Sequence, residues 1–161
     1  GFIDVYSEKG VGSTFTIYIP ASEKEFADNS NIETVNIKKG TGTIFVIDDE
    51  NIMRVTAKKI LEECGYKILL AENGEEGFEI YKEQFKKIDL VIIDMSMPLL
   101  SGIDTYLKFK EINPEIKAIL SSGYKYDERI EKAIKLGMND FIHKPFSMED
   151  ISNKVFRVLN N

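Results

Sequence analysis

The chain has 161 residues, enough for one ordinary domain with a sizeable core plus a short appendage, and too few for two full enzymatic domains. Hydrophobic residues make up 43% and charged residues 30%, a globular composition, and no apolar run approaches the roughly 20 residues that span a bilayer, so no direct membrane contact is expected. A net charge of −6, from 27 acids against 21 bases spread along the chain, leaves no basic stripe to neutralise a phosphate backbone, and nucleic acid is not expected as a direct partner. One cysteine, Cys64, excludes an internal disulfide, and one histidine, His143, leaves too few soft ligands for a zinc site. This usage is compatible with a reducing cytoplasm, the expected location.

In chain order, residues 2–6 and 14–19 are β-rich runs separated by a segment carrying Gly10 and Gly12, a combination that predicts a hairpin ended by Pro20. Gly1 is followed at once by this strand-like run, with no starting methionine, so the N-terminus is expected to be a cut end. Residues 21–42 are polar, lack a sustained period, and predict a linker.

From Thr43 onward, short apolar runs at 44–47, 68–70, 90–93, 118–120 and 141–142 alternate with amphipathic stretches. Their near-continuous hydrophobicity predicts strands buried on both faces, as in a parallel sheet. After the first run, Met53, Ala57, Ile60, Leu61 and Cys64 fall at helical spacing with Gly65 as a stop. Asn73 with Glu76 predicts the cap of the next helix. The last helix should start at Ser147, carry Asp150 in its first turn, and bury Ile151, Val155, Val158 and Leu159. Five strand–helix units imply an α/β fold with a doubly wound, five-stranded parallel sheet, whose ligand site lies outside the carboxyl ends of the strands.

Asp48 and Asp49 follow the first of these strands and Asp94 follows the third, which brings three carboxylates to one sheet edge. At about 4 Å each pair would repel by roughly 4 kcal/mol at an effective dielectric near 20, so a compensating cation is expected. Oxygen donors with room for waters favour Mg2+. Ser122 after the fourth strand offers a hydroxyl, and Lys144 after the fifth offers an ammonium; Lys144 precedes Pro145, where a cis peptide bond is plausible. These are the parts for phosphoryl transfer to a carboxylate: a nucleophile, a metal to neutralise phosphoryl charge, and fixed donors.

The stretch 43–161 resembles the response-regulator receiver family in Asp48–Asp49, in the Asp-x-x-Met-Pro-x-x-x-Gly run from Asp94 through Pro98 to Gly102, in Ser122–Gly123, and in Phe141-x-x-Lys144-Pro145. The resemblance implies a flavodoxin-like strand order 2-1-3-4-5, with Asp94 as phosphoacceptor. Asp49 becomes a direct magnesium ligand assisted by Asp48, the carbonyl of Ser96 a further ligand, and Ser122 and Lys144 binders of phosphoryl oxygens. Ser122 and Phe141 take the places of the family's switch pair, with Phe141 acting through packing alone because it has no phenolic hydroxyl. Ser96 and Tyr124 stand where the family tunes the lifetime of the acyl phosphate.

Residues 1–20 resemble the final hairpin of a histidine-kinase ATP-binding domain, so the chain is similar to the C-terminal piece of a hybrid histidine kinase: hairpin 1–20, linker 21–42, receiver 43–161. The resemblance implies as partners a histidine kinase core of the same or another chain and a histidine phosphotransfer protein. It also implies a dimer through the face of the fourth helix, fifth strand and fifth helix. The piece itself, lacking the ATP-binding core, is expected only to promote its own aspartyl phosphorylation and dephosphorylation.

The alternative is a receiver-like interaction module that works without phosphorylation, against which the complete set of acidic pair, acceptor and lysine argues. A flavodoxin-like cofactor binder would want a phosphate-cradling loop where Asp48-Asp49-Glu50 stands. An aspartate-nucleophile phosphatase would want a second Asp at the position held by Ser96.

Overall fold

A computed structural model of the chain describes residues 1–21, 37–123 and 128–161. It divides into two units, Gly1–Thr34 and Val35–Asn161. In the first, strands β1 (Phe2–Glu8) and β2 (Gly12–Tyr18) pair antiparallel, with Phe2 opposite Tyr18 and Glu8 opposite Gly12. The amide of Val11 closes the turn on the carbonyl of Glu8, and Gly10 takes φ 86°, a conformation that costs glycine little. Alternation puts Ile3, Val5, Phe15 and Ile17 on one face of the ribbon, every one of them at least half exposed.

The second unit is built from β3 (Thr43–Ile47), α1 (Asn51–Glu63), β4 (Lys67–Ala71), α2 (Gly74–Gln84), β5 (Leu90–Asp94), α3 (Gly102–Ile112), β6 (Ala118–Ser122), α4 (Glu128–Lys135), β7 (Asp140–His143) and α5 (Met148–Asn160). The five strands form one parallel sheet in the order β4-β3-β5-β6-β7, the expected doubly wound arrangement. The three central strands alternate between two cores, as the period of two requires. Phe45, Ile47, Val91, Ile93 and Leu120 pack with Tyr81, Tyr106, Phe109 and Ile130 of α2, α3 and α4; the rings of Tyr81 and Phe109 stack at 4.1 Å. Ile44, Val46, Leu90, Ile92 and Ile119 pack on the other face with Ala57 and Leu61 of α1 and Ile151, Val155 and Val158 of α5.

The helix signals hold in detail. Asn73 Oδ1 accepts the amide of Glu76 at 2.9 Å, and Ser147 and Asp150 form a reciprocal capping box at the start of α5. Gly65, φ 98°, follows Cys64 at the end of α1. Two expectations shift. All five sheet strands run one or two residues beyond the apolar runs, because their ends carry the polar residues Thr43, Lys67, Asp94, Ser121, Ser122, Asp140 and His143. The predicted linker also ends too late. Ile37 packs on the α1–α5 core, the amide of Gly40 donates to Cys64, and Gly42 accepts from Lys67, so 37–42 belong to the second unit. Residues 22–36 of the expected linker, and Tyr124, lie outside the described residues.

Candidate active site at the carboxyl ends of β3, β5, β6 and β7

Strand order reverses between β3 and β5, and the residues at the ends of these two strands meet there. Ile47 pairs with Ile93, which puts Asp48 and Asp94 side by side, each only 4% exposed. Lys144, 9% exposed, leaves the end of β7 through a cis peptide bond to Pro145, after its amide has donated to the Ser122 carbonyl at 2.7 Å. Its Nζ lies 2.7 Å from Asp48 Oδ2, 2.6 Å from Asp94 Oδ1 and 3.5 Å from Glu50 Oε1. Each buried carboxylate gives its second oxygen to a backbone amide two residues on: Glu50 N to Asp48 Oδ1 at 3.0 Å, and Ser96 N to Asp94 Oδ2 at 2.8 Å.

Burial pushes the Asp48 carboxyl above its usual range, although the hydrogen bond and charge of Lys144 pull the other way. Burial alone would lower Lys144, but hydrogen bonds to Asp48 and Asp94 and the charge of both outweigh it, and the ammonium titrates above its ordinary value. The ammonium thus stands between the two buried carboxyl groups, within hydrogen-bond distance of both.

Above it opens a cavity of about 520 Å³ lined by Asp49, Glu50, Met53, Asp94, Ser96, Gly123, Lys144 and Pro145. Asp49 is exposed in this cavity and has no ion pair among the described residues. Ser122 is buried at the end of β6, and Phe141 is half-buried one strand further, against the α2–α3–α4 core. The fold thus brings Asp48, Asp94 and Lys144 into direct contact, sets Asp49 and Ser96 on the rim, and keeps Phe141 outside the cavity wall. His143 is exposed on the rim side of β7.

Two further residues support this arrangement, and the first of them was not legible in the sequence. Arg54, one turn into α1, donates to the Asp48 main-chain carbonyl at 2.5 Å and lies 3.9 Å from Glu72, clamping the acidic loop from below. A basic residue on an amphipathic helix gives no sign of such a role. At Gly102 a Cβ would sit 2.2 Å from the Asp94 carbonyl oxygen, so only glycine lets α3 start against the strand end; its place eight residues after Asp94 was the available signal.

The donor set fits a small divalent cation. Asp49 and Asp94 line one open cavity together with Ser96, and the desolvated Asp48 beside them gains from a neighbouring positive charge. Among the described residues no three acidic, histidine or cysteine side chains enclose an ion by themselves. One or two carboxylates with several retained waters are what magnesium asks for.

Residues 44–156 match the family described as response regulator receiver domain. The chain belongs to that family. The receiver is 38% identical over 104 residues to the chemotaxis protein CheY of Thermotoga maritima, covering 64% of this chain and 85% of that protein. It superposes with TM-score 0.71 on a response regulator receiver domain protein of Clostridium thermocellum at 34% identity, covering 74% and 94% of the two chains. The sensor kinase CckA of Brucella abortus is 30% identical over 167 residues and aligns with 99% of this chain, of which the hairpin is thus a part, but the chain spans only 18% of that protein's length. No helix of the described residues is long and apolar enough to cross a membrane.

Proposed function

We propose that the receiver takes a phosphoryl group from a phosphohistidine onto Asp94 and passes on or withdraws the signal as part of a hybrid histidine kinase. The observation that carries this is the Asp94 carboxylate itself: buried, held by the Ser96 amide on one oxygen and by Lys144 on the other, yet lining an open cavity. In the transfer an Asp94 oxygen attacks phosphorus as the P–N bond breaks, and the imidazole nitrogen leaves with the electron pair. The fixed carboxylate geometry supplies positioning, which is most of what phosphoryl transfer asks of a protein.

Asp49, Asp94 and the Ser96 carbonyl would hold Mg2+, with Asp48 assisting; the ion would neutralise charge on the phosphoryl oxygens. Lys144 and Ser122 would bind those oxygens, Lys144 by releasing Asp94 as the carboxylate becomes an acyl phosphate. The rearrangement would reach Phe141 and alter the face of α4, β7 and α5, through which partners or a second copy would dock. The donor would be the kinase core of the same or another chain, and the acceptor of a relay a histidine phosphotransfer protein, in the cytoplasm.

The hairpin 1–20 would be the end of the kinase ATP-binding domain. Its face of Ile3, Val5, Phe15 and Ile17 supports this, because an isolated two-stranded ribbon is marginal and an apolar face needs a layer to cover it.

The deciding experiment is intact-mass spectrometry after incubation with acetyl phosphate and magnesium, on this chain and on Asp94→Asn. One phosphoryl group on the parent and none on the variant is the expected result. None on either, with magnesium bound, would favour the phosphorylation-independent interaction module.

A further inference from the structure

Asp140, the first residue of β7, is a hub. Its Oδ1 accepts the amide of Phe141 at 2.8 Å, its Oδ2 pairs with Arg157 on α5, and both oxygens lie within 3.4 Å of Lys154 Nζ. The Asp140 side chain is 12% exposed and that of Lys154 27%, so this contact is less screened than an ordinary surface pair. The same ammonium stands over the ring of Phe141, 5.2 Å from its centroid. One cation therefore links α5, the carboxylate at the head of β7 and the face of the neighbouring ring.

Arg157 and the Phe141 amide already satisfy Asp140, so neutralising that carboxylate does not by itself explain where Lys154 stands. What Lys154 adds is an attraction for one face of a half-buried aromatic ring, strengthened by the carboxylate that fixes the ammonium. On its other side Phe141 packs against the α2–α3–α4 core. The ring also lines a pocket of about 320 Å³ with Ile142, His143, Pro145, Asp150 and Lys154, which leaves room beside it.

The geometry points to Lys154 as a positioning residue for Phe141: held by Asp140, it favours the half-buried stance the ring takes here and sets how readily a change at Asp94 and Ser122 draws the ring further inward. The inference rests on the switch role proposed above for Phe141.

The chain has no tryptophan, so Phe141→Trp introduces a single indole whose emission reports its burial while keeping a ring for the cation. Beryllofluoride with magnesium serves as the acyl-phosphate mimic. The expected result is a blue shift of the Phe141→Trp emission on adding the mimic. When Lys154→Met is added, the mimic-free spectrum should already move toward the blue, with the inward population raised about two- to fivefold, and Lys154→Arg should restore the starting spectrum. Asp94 should still accept the phosphoryl group from acetyl phosphate in Lys154→Met, since Lys154 touches none of the described groups around Asp94, and the mimic should bind more tightly because the inward stance is already favoured. Coinciding Lys154→Met and parent spectra, in a protein that responds to the mimic, would overturn the inference and leave the switch intact. A Phe141→Trp protein that is phosphorylated but shows no emission change would overturn the switch and the inference together.

Discussion

Lys144 Nζ stands 2.6 Å from Asp94 and reaches Asp48 at 2.7 Å with its other side, so one buried ammonium bridges the ends of β3 and β5. Removing it leaves two adjacent buried carboxyl groups with no side-chain cation between them among the described residues. Lys144→Met is expected to cost about 3 kcal/mol, toward the low end for a broken buried pair because the cavity admits water. Urea unfolding should show the midpoint fall with the slope unchanged. A midpoint equal to the parent's would mean that Lys144 does not hold the two strand ends together.

Magnesium should stabilise the folded receiver, because the donors proposed for it are residues that only the fold brings together. At a hundred times its dissociation constant the gain is about 2.7 kcal/mol, or about 10 °C for a domain of this size. Asp49→Asn separates the site from the scaffold. Asp49 is exposed and unpaired among the described residues, so the metal-free melting temperature should hardly change while most of the magnesium-dependent rise disappears. Melting curves with and without chelator, on both proteins, check this.

Gly102→Ala tests the close approach behind the acceptor. The added methyl would overlap the Asp94 carbonyl oxygen, and neither that oxygen nor the adjacent Met95 Cα belongs to a side chain that can swing away. A destabilisation of about 1–3 kcal/mol is expected, together with slower phosphorylation by acetyl phosphate, because the strand end that carries the carboxylate must move. Normal phosphorylation in a destabilised protein would show that the strain is absorbed by α3 instead.

The parallel sheet and the two capped helix starts were legible because apolar runs, Asn73–Glu76 and Ser147–Asp150 each act through short-range chemistry, whereas the strand order came with the family resemblance. So were the chemical groups at the strand ends, since polar residues closing apolar runs stand out. What the sequence concealed were contacts made by backbone. The segment 37–42 docks largely through Gly40 and Gly42, whose hydrogen bonds leave no hydrophobic signature. Leu99 adopts φ 68°, with the Leu100 amide closing a tight turn on Pro98, in a residue type that carries no turn preference. Arg54 was hidden for the complementary reason: its partner is a main-chain carbonyl six residues back.

Alkaline pH should unfold the receiver through its buried acids. Burial raises Cys64 above 9.0 and Tyr66, Tyr81 and Tyr106 above 10.0, their ordinary values. All four are neutral when protonated, so the folded chain holds these protons more tightly than the unfolded chain does. The stability they contribute is complete below about pH 9 and is lost as pH climbs through the unfolded values toward the folded ones, by about 1.4 kcal/mol per pH unit for each group in play. Tyr66 offers the sharpest test, because its hydroxyl is buried and finds no hydrogen-bond partner among the described residues. Tyr66→Phe should raise stability at pH 7 by about 1 kcal/mol, since an unsatisfied hydroxyl is removed, and should flatten the alkaline decline by one group's share. Urea titrations at pH 7.5 and pH 10.5 on parent and variant measure both effects. A variant less stable than the parent at neutral pH would mean that the hydroxyl is hydrogen-bonded after all.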